Sequence, residues 1–226
     1  TGWLSMVNRC EAKSLEGFVQ QLAVGLVSRG YWFYVTGWIP EGKDPRAVDE
    51  KLGKLYRVGL KKSARNRRKQ AGLANVQYLR LGRFFVLIAT HGLHSFFENE
   101  GESVRDIRRV PLTFGGYSLS HRGGKTSVRI DRETFRNVKA SFVGSALRMD
   151  ERSLAERFTA LPFEPYAPIR RQLLVLWRVV NRARITAGLE PVPKSCLRFK
   201  RRIFRPFEGG QHCHLGVTDG RGSRGD

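Results

Sequence analysis

The sequence predicts an α+β fold: an antiparallel sheet of about five strands with flanking helices and a helical C-terminal section. Three observations carry this. Apolar residues recur at the helical period early in the chain, the period shifts to two between residues 76 and 130, and helical spacing returns from residue 132 onward.

Leu15, Phe18, Val19, Leu22, Leu26 and Val27 share a helical face from Ser14, a suitable N-cap, to about Arg29, and Gly30 ends that helix. YWFYVTGWI at 31–39 is aromatic and β-branched and stops at Pro40 and Gly42, which marks a mostly buried strand. Asp44 followed by Pro45 is a strong helix start, and KKSARNRRKQAG at 61–72 continues or restarts that helix. VQYLRL and RFFVLIATH around Gly82 read as a hairpin. Residues 107–121 give two short strands broken at Pro111 or at Gly115 and Gly116, and HRGGKTSVRID supplies a glycine turn and another strand. Asp131 caps a helix at 132–148 with Phe135, Val138, Phe142, Val143 and Leu147 on one side; helices at 151–160 and about 168–187 follow. On this reading, 1–149 form an α+β core with a basic helix, 150–207 an Arg-rich helical section, and 208–226 a Gly-rich disordered tail.

The charge is the distinctive feature. The chain has 41 Lys plus Arg against 20 Asp plus Glu, a net of +21, and the stretches 43–83 and 170–205 each carry +10. So large an excess repels itself in a compact state, and the chemistry that offsets it is a polyanion. In KKSARNRRKQAG six of twelve positions are cationic with no carboxylate, and Lys61, Lys62, Arg65, Arg68 and Lys69 fall on one helical face, with Arg67 beside them. A solvated face is the ordinary alternative for such a run. In the last long helix Leu173, Leu174, Leu176, Trp177 and Val180 are placed for burial, while Arg171, Arg178, Asn181 and Arg182 share another face. LRFKRRIFRPF then interleaves Arg198, Lys200, Arg201 and Arg202 with Phe199, Phe204 and Phe207, aromatics that either stack bases or anchor the segment to the core. The leading expectation is therefore a nucleic-acid-binding protein, for DNA or RNA, that grips phosphate with two surfaces. A basic scaffold docking on an acidic protein or on a ribosome is an alternative class.

A third class is enzymatic. His91 and His94 follow a buried strand and precede Glu98, Glu100, Glu102 and Asp106, a donor set suited to Mg²⁺ or Mn²⁺, and Tyr117 with His121 would supply a nucleophile and its neighbour. Together they would make a metal-dependent nickase or strand-transfer enzyme of a mobile element. The layout of helices and antiparallel strands is loosely similar to the HUH family of rolling-circle initiators, relaxases and transposases. That family carries two His separated by one hydrophobic residue on a central strand and a Tyr on a nearby helix. Here two residues separate His91 from His94, Tyr117 lies in a strand or turn, and the single literal match is His212-Cys213-His214 in the tail. Cys196 with His212, Cys213 and His214 does not follow zinc-finger spacing. HRGGKTS lacks the helix that a phosphate-binding loop needs, so it reads as a turn with Lys125 exposed.

Three cysteines, an odd and sparse set, fit a reducing, cytoplasmic setting better than a disulfide framework. The longest apolar run, FFVLIAT, falls far short of the ~20 residues of a membrane span. No signal-peptide pattern is present, and a chain starting at Thr1 fits a fragment or a processed protein.

Overall fold

The structure, a computed structural model, describes residues 10–208. Helix α1, Leu15–Gln20, starts where the Gly17 N–H donates to the Ser14 hydroxyl at 3.1 Å. It widens into a π turn at Gln21–Leu26, tightens into a 3-10 turn at Val27–Arg29, and stops at Gly30 with φ of 93°. Strand β1, Tyr31–Trp38, leads through Pro40 and Gly42 to α2, Pro45–Leu55, capped by the Asp44 carboxylate on the Arg46 N–H. The helix then breaks, and α3, Lys62–Gln70, restarts it.

Strands β2 (Val76–Leu81) and β3 (Phe84–Thr90) form a tight hairpin at Gly82 and Arg83. Strand β3 also pairs along the whole of β1, and a two-residue strand β4, Arg105–Asp106, adds to the free edge of β1, giving the order β2-β3-β1-β4. Between β3 and β4 lies a short helix, α4 (Ser95–Glu100). Strands β5 (Leu112–Phe114), β6 (Tyr117–Arg122) and β7 (Lys125–Ile130) form a separate three-stranded sheet. The α+β class holds, but the strands divide between two antiparallel sheets. Gly123 and Gly124 both take positive φ in the turn between β6 and β7, which a tight hairpin requires, and Lys125 is exposed.

Both faces of the four-stranded sheet are covered, which is why FFVLIAT shows no alternation. Leu79, Phe84, Val86, Ile88 and Tyr34 pack with Phe18 and Leu22 of α1, in a core that continues through the second sheet. Val76, Tyr78, Leu87 and Ala89 pack in a smaller core with Tyr56 and Phe96. Helices α5 (Arg132–Ser145), α6 (Glu151–Thr159) and α7 (Ala167–Thr186) close the large core. Phe142, Leu154, Phe158, Leu173 and Leu176 belong to the same cluster as Phe18, so the C-terminal helices are built into the core rather than appended to it. Gln172 of α7 holds the end of β7 in both directions, accepting the Ile130 N–H and donating to its carbonyl, each at 2.9 Å. Val143 and Leu147, expected on the buried side of α5, are 41% and 55% exposed, because the helix turns only Phe142 fully inward. The residues 209–226 of the Gly-rich tail lie outside the described part. Among the described residues no helix is long and apolar enough to cross a membrane.

One buried ion pair ties α2 to the sheet. Asp49, 3% exposed, receives the Arg80 guanidinium at 3.0 Å from Nε and 3.0 Å from Nη2, and the Tyr78 hydroxyl at 2.6 Å. The Cys10 thiol completes the set at 3.6 Å, and burial, followed by the Asp49 charge, pushes it up to about 12. Removing one member of such a pair leaves the other charge in a dry site. Asp49→Ala should therefore lower unfolding free energy by about 3–5 kcal/mol, and Asp49→Ala combined with Arg80→Met should recover much of that loss; urea denaturation of both variants measures it.

Candidate nucleic-acid interface

Helix α3 has no buried residue. Nine residues with no apolar face do not hold a helix alone in water, so its shape depends on its attachments. The break before it uses Arg57 at φ of 50° and Gly59 at 90° to turn the chain. After it, Gly72 takes φ of 71° and Leu73 donates its N–H to the Arg68 carbonyl at 2.9 Å. The Arg68 guanidinium donates to the Ala74 carbonyl from Nε at 3.2 Å and Nη2 at 2.9 Å, and the Asn75 side-chain amide donates to the Arg65 carbonyl at 3.0 Å. Leu93, just past the end of β3, exchanges main-chain bonds with Gly72 and Ala74. The C-terminal turn is thus bolted to the end of the sheet, Arg68 included, while Lys61, Lys62, Arg67 and Lys69 stay exposed.

Those side chains are uncompensated. Among the described residues none of Lys61, Lys62, Arg65, Arg67, Arg68 or Lys69 forms a salt bridge. Arg67, Arg68 and Lys69 at least sit at the negative end of the helix dipole. Lys61 and Lys62 sit at the positive end, where there is no acidic residue and no side-chain cap, so that end favours an anion twice over.

Two cations that the sequence did not single out join this surface. The Tyr31 hydroxyl is raised by burial and pulled back by the charges of Arg65 and Arg29, so both guanidinium groups lie near it. His94 is lowered first by burial, then by the charges of Arg68 and Arg57. Arg29 was hidden because it ends a helix whose other residues are apolar, and Arg57 because it falls in the break between helices. Arg108, stacked 4.5 Å over the Trp32 ring, is instead paired with Asp106 through two short bonds.

The second block is different. It has its own footing, since α7 packs on β7 and α5 while α3 is fixed to the other sheet. The two patches are carried by different layers. Arg171, Arg178 and Arg182 are exposed on α7 without ion pairs among the described residues, as are Lys200 and Arg202. Asn181 leaves that face: it is buried and brackets Val192 through its amide and carbonyl at 2.9 and 2.8 Å. Arg198 is spent on the carbonyls of Leu161 and Phe163, with Glu164 at 3.9 Å, and Arg201 lies 4.8 Å over the Tyr166 ring. Phe207 packs on the large core and the main chain of Phe204 is held by Gln20, so these two anchor the segment; Phe199 is exposed.

The catalytic and metal candidates are not brought together. Among the described residues no three His, Cys, Asp or Glu side chains are grouped to hold a metal ion. His94 accepts the Phe96 N–H on Nδ1 at 3.0 Å, as a helix cap; Glu100 accepts a short bond from the Tyr56 hydroxyl; Asp106 is clamped by Arg108; His91 and Glu98 point from exposed positions. Each side chain has a local structural role or open solvent instead. Tyr117 is fully buried, donates to the Pro162 carbonyl at 3.2 Å and accepts the Glu164 N–H at 2.9 Å, and burial raises its hydroxyl well above the usual range. It cannot reach a phosphodiester. His121 stacks on Trp32 with centroids 5.3 Å apart and bonds Thr126. Among the described residues, the layout resembling the HUH enzymes thus carries neither their His pair nor an accessible Tyr in the place of theirs. Cys196 is buried with its thiol raised by burial to about 11, and His212, Cys213 and His214 lie outside the described residues. Compared with known protein families, curated proteins and solved structures, the chain matches none.

His94 reports on this surface. Its folded pKa lies below the unfolded value of about 6.5, so its contribution to stability is present above that pH and is lost as pH falls through the folded pKa. A phosphate chain at Arg57 and Arg68 weakens the field that depresses it. An NMR titration of the His94 ring, assigned with His94→Gln, should give a pKa that rises when oligonucleotide is added.

Proposed function

We propose that this chain binds nucleic acid through its phosphate backbone, with α3 and the neighbouring Arg29 and Arg57 as the principal contact. The observation that carries this reading is a helix with five cations and a sixth, Lys61, at its N-cap, with no ion pairs among the described residues and no buried residue, fixed to the sheet by its C-terminal turn. Self-repulsion along such a helix costs a few tenths of a kcal/mol per like-charged pair, and a phosphate chain removes that cost. Arginine adds a planar fork that meets phosphate oxygens two at a time.

For the α7 face a second reading has its own support. Leu147, Val179, Ala183 and Arg182 line a shallow groove there, and Val143 is exposed close by in sequence. An apolar strip beside arginines suits a protein partner with acidic and apolar side chains better than a phosphate chain, which has no use for it.

The test is fluorescence anisotropy of labelled oligonucleotides against salt. If α3 meets about six phosphates, affinity should fall by roughly 10³-fold or more between about 50 and 200 mM salt, and the Lys61→Ala, Arg67→Ala, Lys69→Ala triple variant should lower the slope of log K against log salt by about 3. The Arg171→Ala, Arg178→Ala, Arg182→Ala variant should lower that slope if α7 also grips phosphate, and leave it unchanged if that face serves a protein. A salt-independent affinity would remove the phosphate reading.

A further inference from the structure

We propose that the free edge of β1 at residues 36–38 takes an extended peptide with acidic side chains as an added antiparallel strand. This site is independent of the phosphate reading. Trp38 pairs with Phe84 at one end of the sheet, and Tyr31 pairs with Thr90 at the other, where Asn75 ties α3 down. Strand β1 pairs with β3 along its length, but on its other side β4 covers only Phe33 and Tyr34. The Ile107 N–H donates to the Trp32 carbonyl at 2.9 Å, in register with those two pairs, so the even-numbered residues of β1 turn their main chain toward β4. Ile39 donates instead to the Arg83 carbonyl at 2.8 Å, on the β3 side with the odd-numbered residues. Thr36 and Trp38 therefore direct their N–H and C=O groups to the side where β4 has ended, and among the described residues nothing pairs with them there.

Sheet edges are ordinarily blunted by lysine, proline or a bulge. This one carries Thr36, Gly37 and Trp38, and the irregularity in β1 falls at its other end, between Tyr31 and Phe33. Thr36 is exposed and Trp38 is 68% exposed, so the row is open to solvent. A strand added here alternates its side chains between two surfaces. On one face the Trp38 indole rests on Phe84 and Phe114, with centroids 5.3 and 6.1 Å away, and its open side forms a wall. On the opposite face the Phe85 ring lies over Gly37, 2.5 Å from where a Cβ would sit, and borders a groove of about 490 Å³ with Val48, Leu52, Lys43 and Lys51.

Charge and main chain together choose the occupant. Lys43 and Lys51 form no salt bridge among the described residues, and Asp44, the one carboxylate lining the groove, is engaged as the cap of α2. A glutamate can lay its methylenes on the apolar floor and bring its carboxylate to the ammonium groups. A phosphate chain has no N–H groups to give the Thr36 and Trp38 carbonyls. A second copy of this chain would bring another +21 charge against the first. An acidic peptide strand satisfies the main chain and the lysines at once.

The experiment titrates the whole chain into a short labelled peptide of alternating Val and Glu, its Val–Lys counterpart, and Val–Glu peptides N-methylated at every Val or at every Glu. Residues bonded to Thr36 and Trp38 share the indole's face, so Val donates to β1 and Glu faces the groove. N-methylation at Val should weaken binding by roughly 10-fold or more, and N-methylation at Glu far less. Thr36→Pro, which removes one outward N–H and leaves the β3 ladder alone, should weaken binding by roughly 2- to 10-fold; a thermal melt checks its fold, and the N-methylated peptides test the edge on the unaltered chain. Lys43→Ala with Lys51→Ala should narrow the preference for Val–Glu over Val–Lys. Val–Glu binding that is indifferent to both N-methylations reports attraction by net charge alone and overturns the site. Equal binding of Val–Lys overturns the acidic class. A dimer in analytical ultracentrifugation that Thr36→Pro dissolves overturns the peptide in favour of a second copy, and failure of the folded parent chain to bind Val–Glu overturns the proposal outright. Oligonucleotide binding should be unchanged by Thr36→Pro, so the phosphate reading stands or falls separately.

Discussion

Helix α3 owes its existence to a handful of hydrogen bonds at its C-terminal end, because it has no apolar side to bury. The Arg68 guanidinium on the Ala74 carbonyl and the Asn75 amide on the Arg65 carbonyl join the helix to the start of β2 and thereby to the four-stranded sheet. A helix held by its main chain and by one guanidinium leaves its other cations without a role in the fold's ion pairs. That division of labour leaves Lys61, Lys62, Arg67 and Lys69 exposed, while Arg68, half-buried, serves both fold and surface.

The sheet can bear this load because it is packed on both faces. The large core fixes β1, β2 and β3 against α1 and the second sheet, and the small core holds α2 through Tyr56 and the buried Asp49 with Arg80. Helix α2 is therefore fixed to the sheet just before the break that leads to the basic helix. Arginine plays two roles in this chain. Arg80 and Arg184 are buried and satisfy carboxylate or carbonyl groups from within, whereas Arg67 of α3 and Arg171, Arg178 and Arg182 of α7 are exposed and form no ion pair among the described residues.

Much of the local structure was legible in sequence because its causes are local. Ser14, Asp44 with Pro45, Asp131, Gly82 and the Gly123-Gly124 pair each announce a cap or turn through their own chemistry, and each does what it announces. What was not legible depends on partners far along the chain. Nothing near Arg80 reveals Asp49, 31 residues away. The split into two sheets follows from β4 pairing with β1 across more than sixty residues, and no periodicity encodes that. Trp38 has the composition of a buried strand residue, yet at the end of β1 it is 68% exposed. Asn181 sits between arginines yet turns inward to bracket Val192. The His and carboxylate run after β3 has the right residue types for a metal, but α4 and its caps disperse them around a helical turn.

The most direct measurement is amide hydrogen exchange across the protein with and without an oligonucleotide. In the free chain, residues 62–70 should exchange fast for a helix, since no packed side chain protects them. The account predicts that added oligonucleotide slows exchange in that helix more than in α7. Protection confined to α7, or none anywhere under conditions where the oligonucleotide is bound, would contradict it.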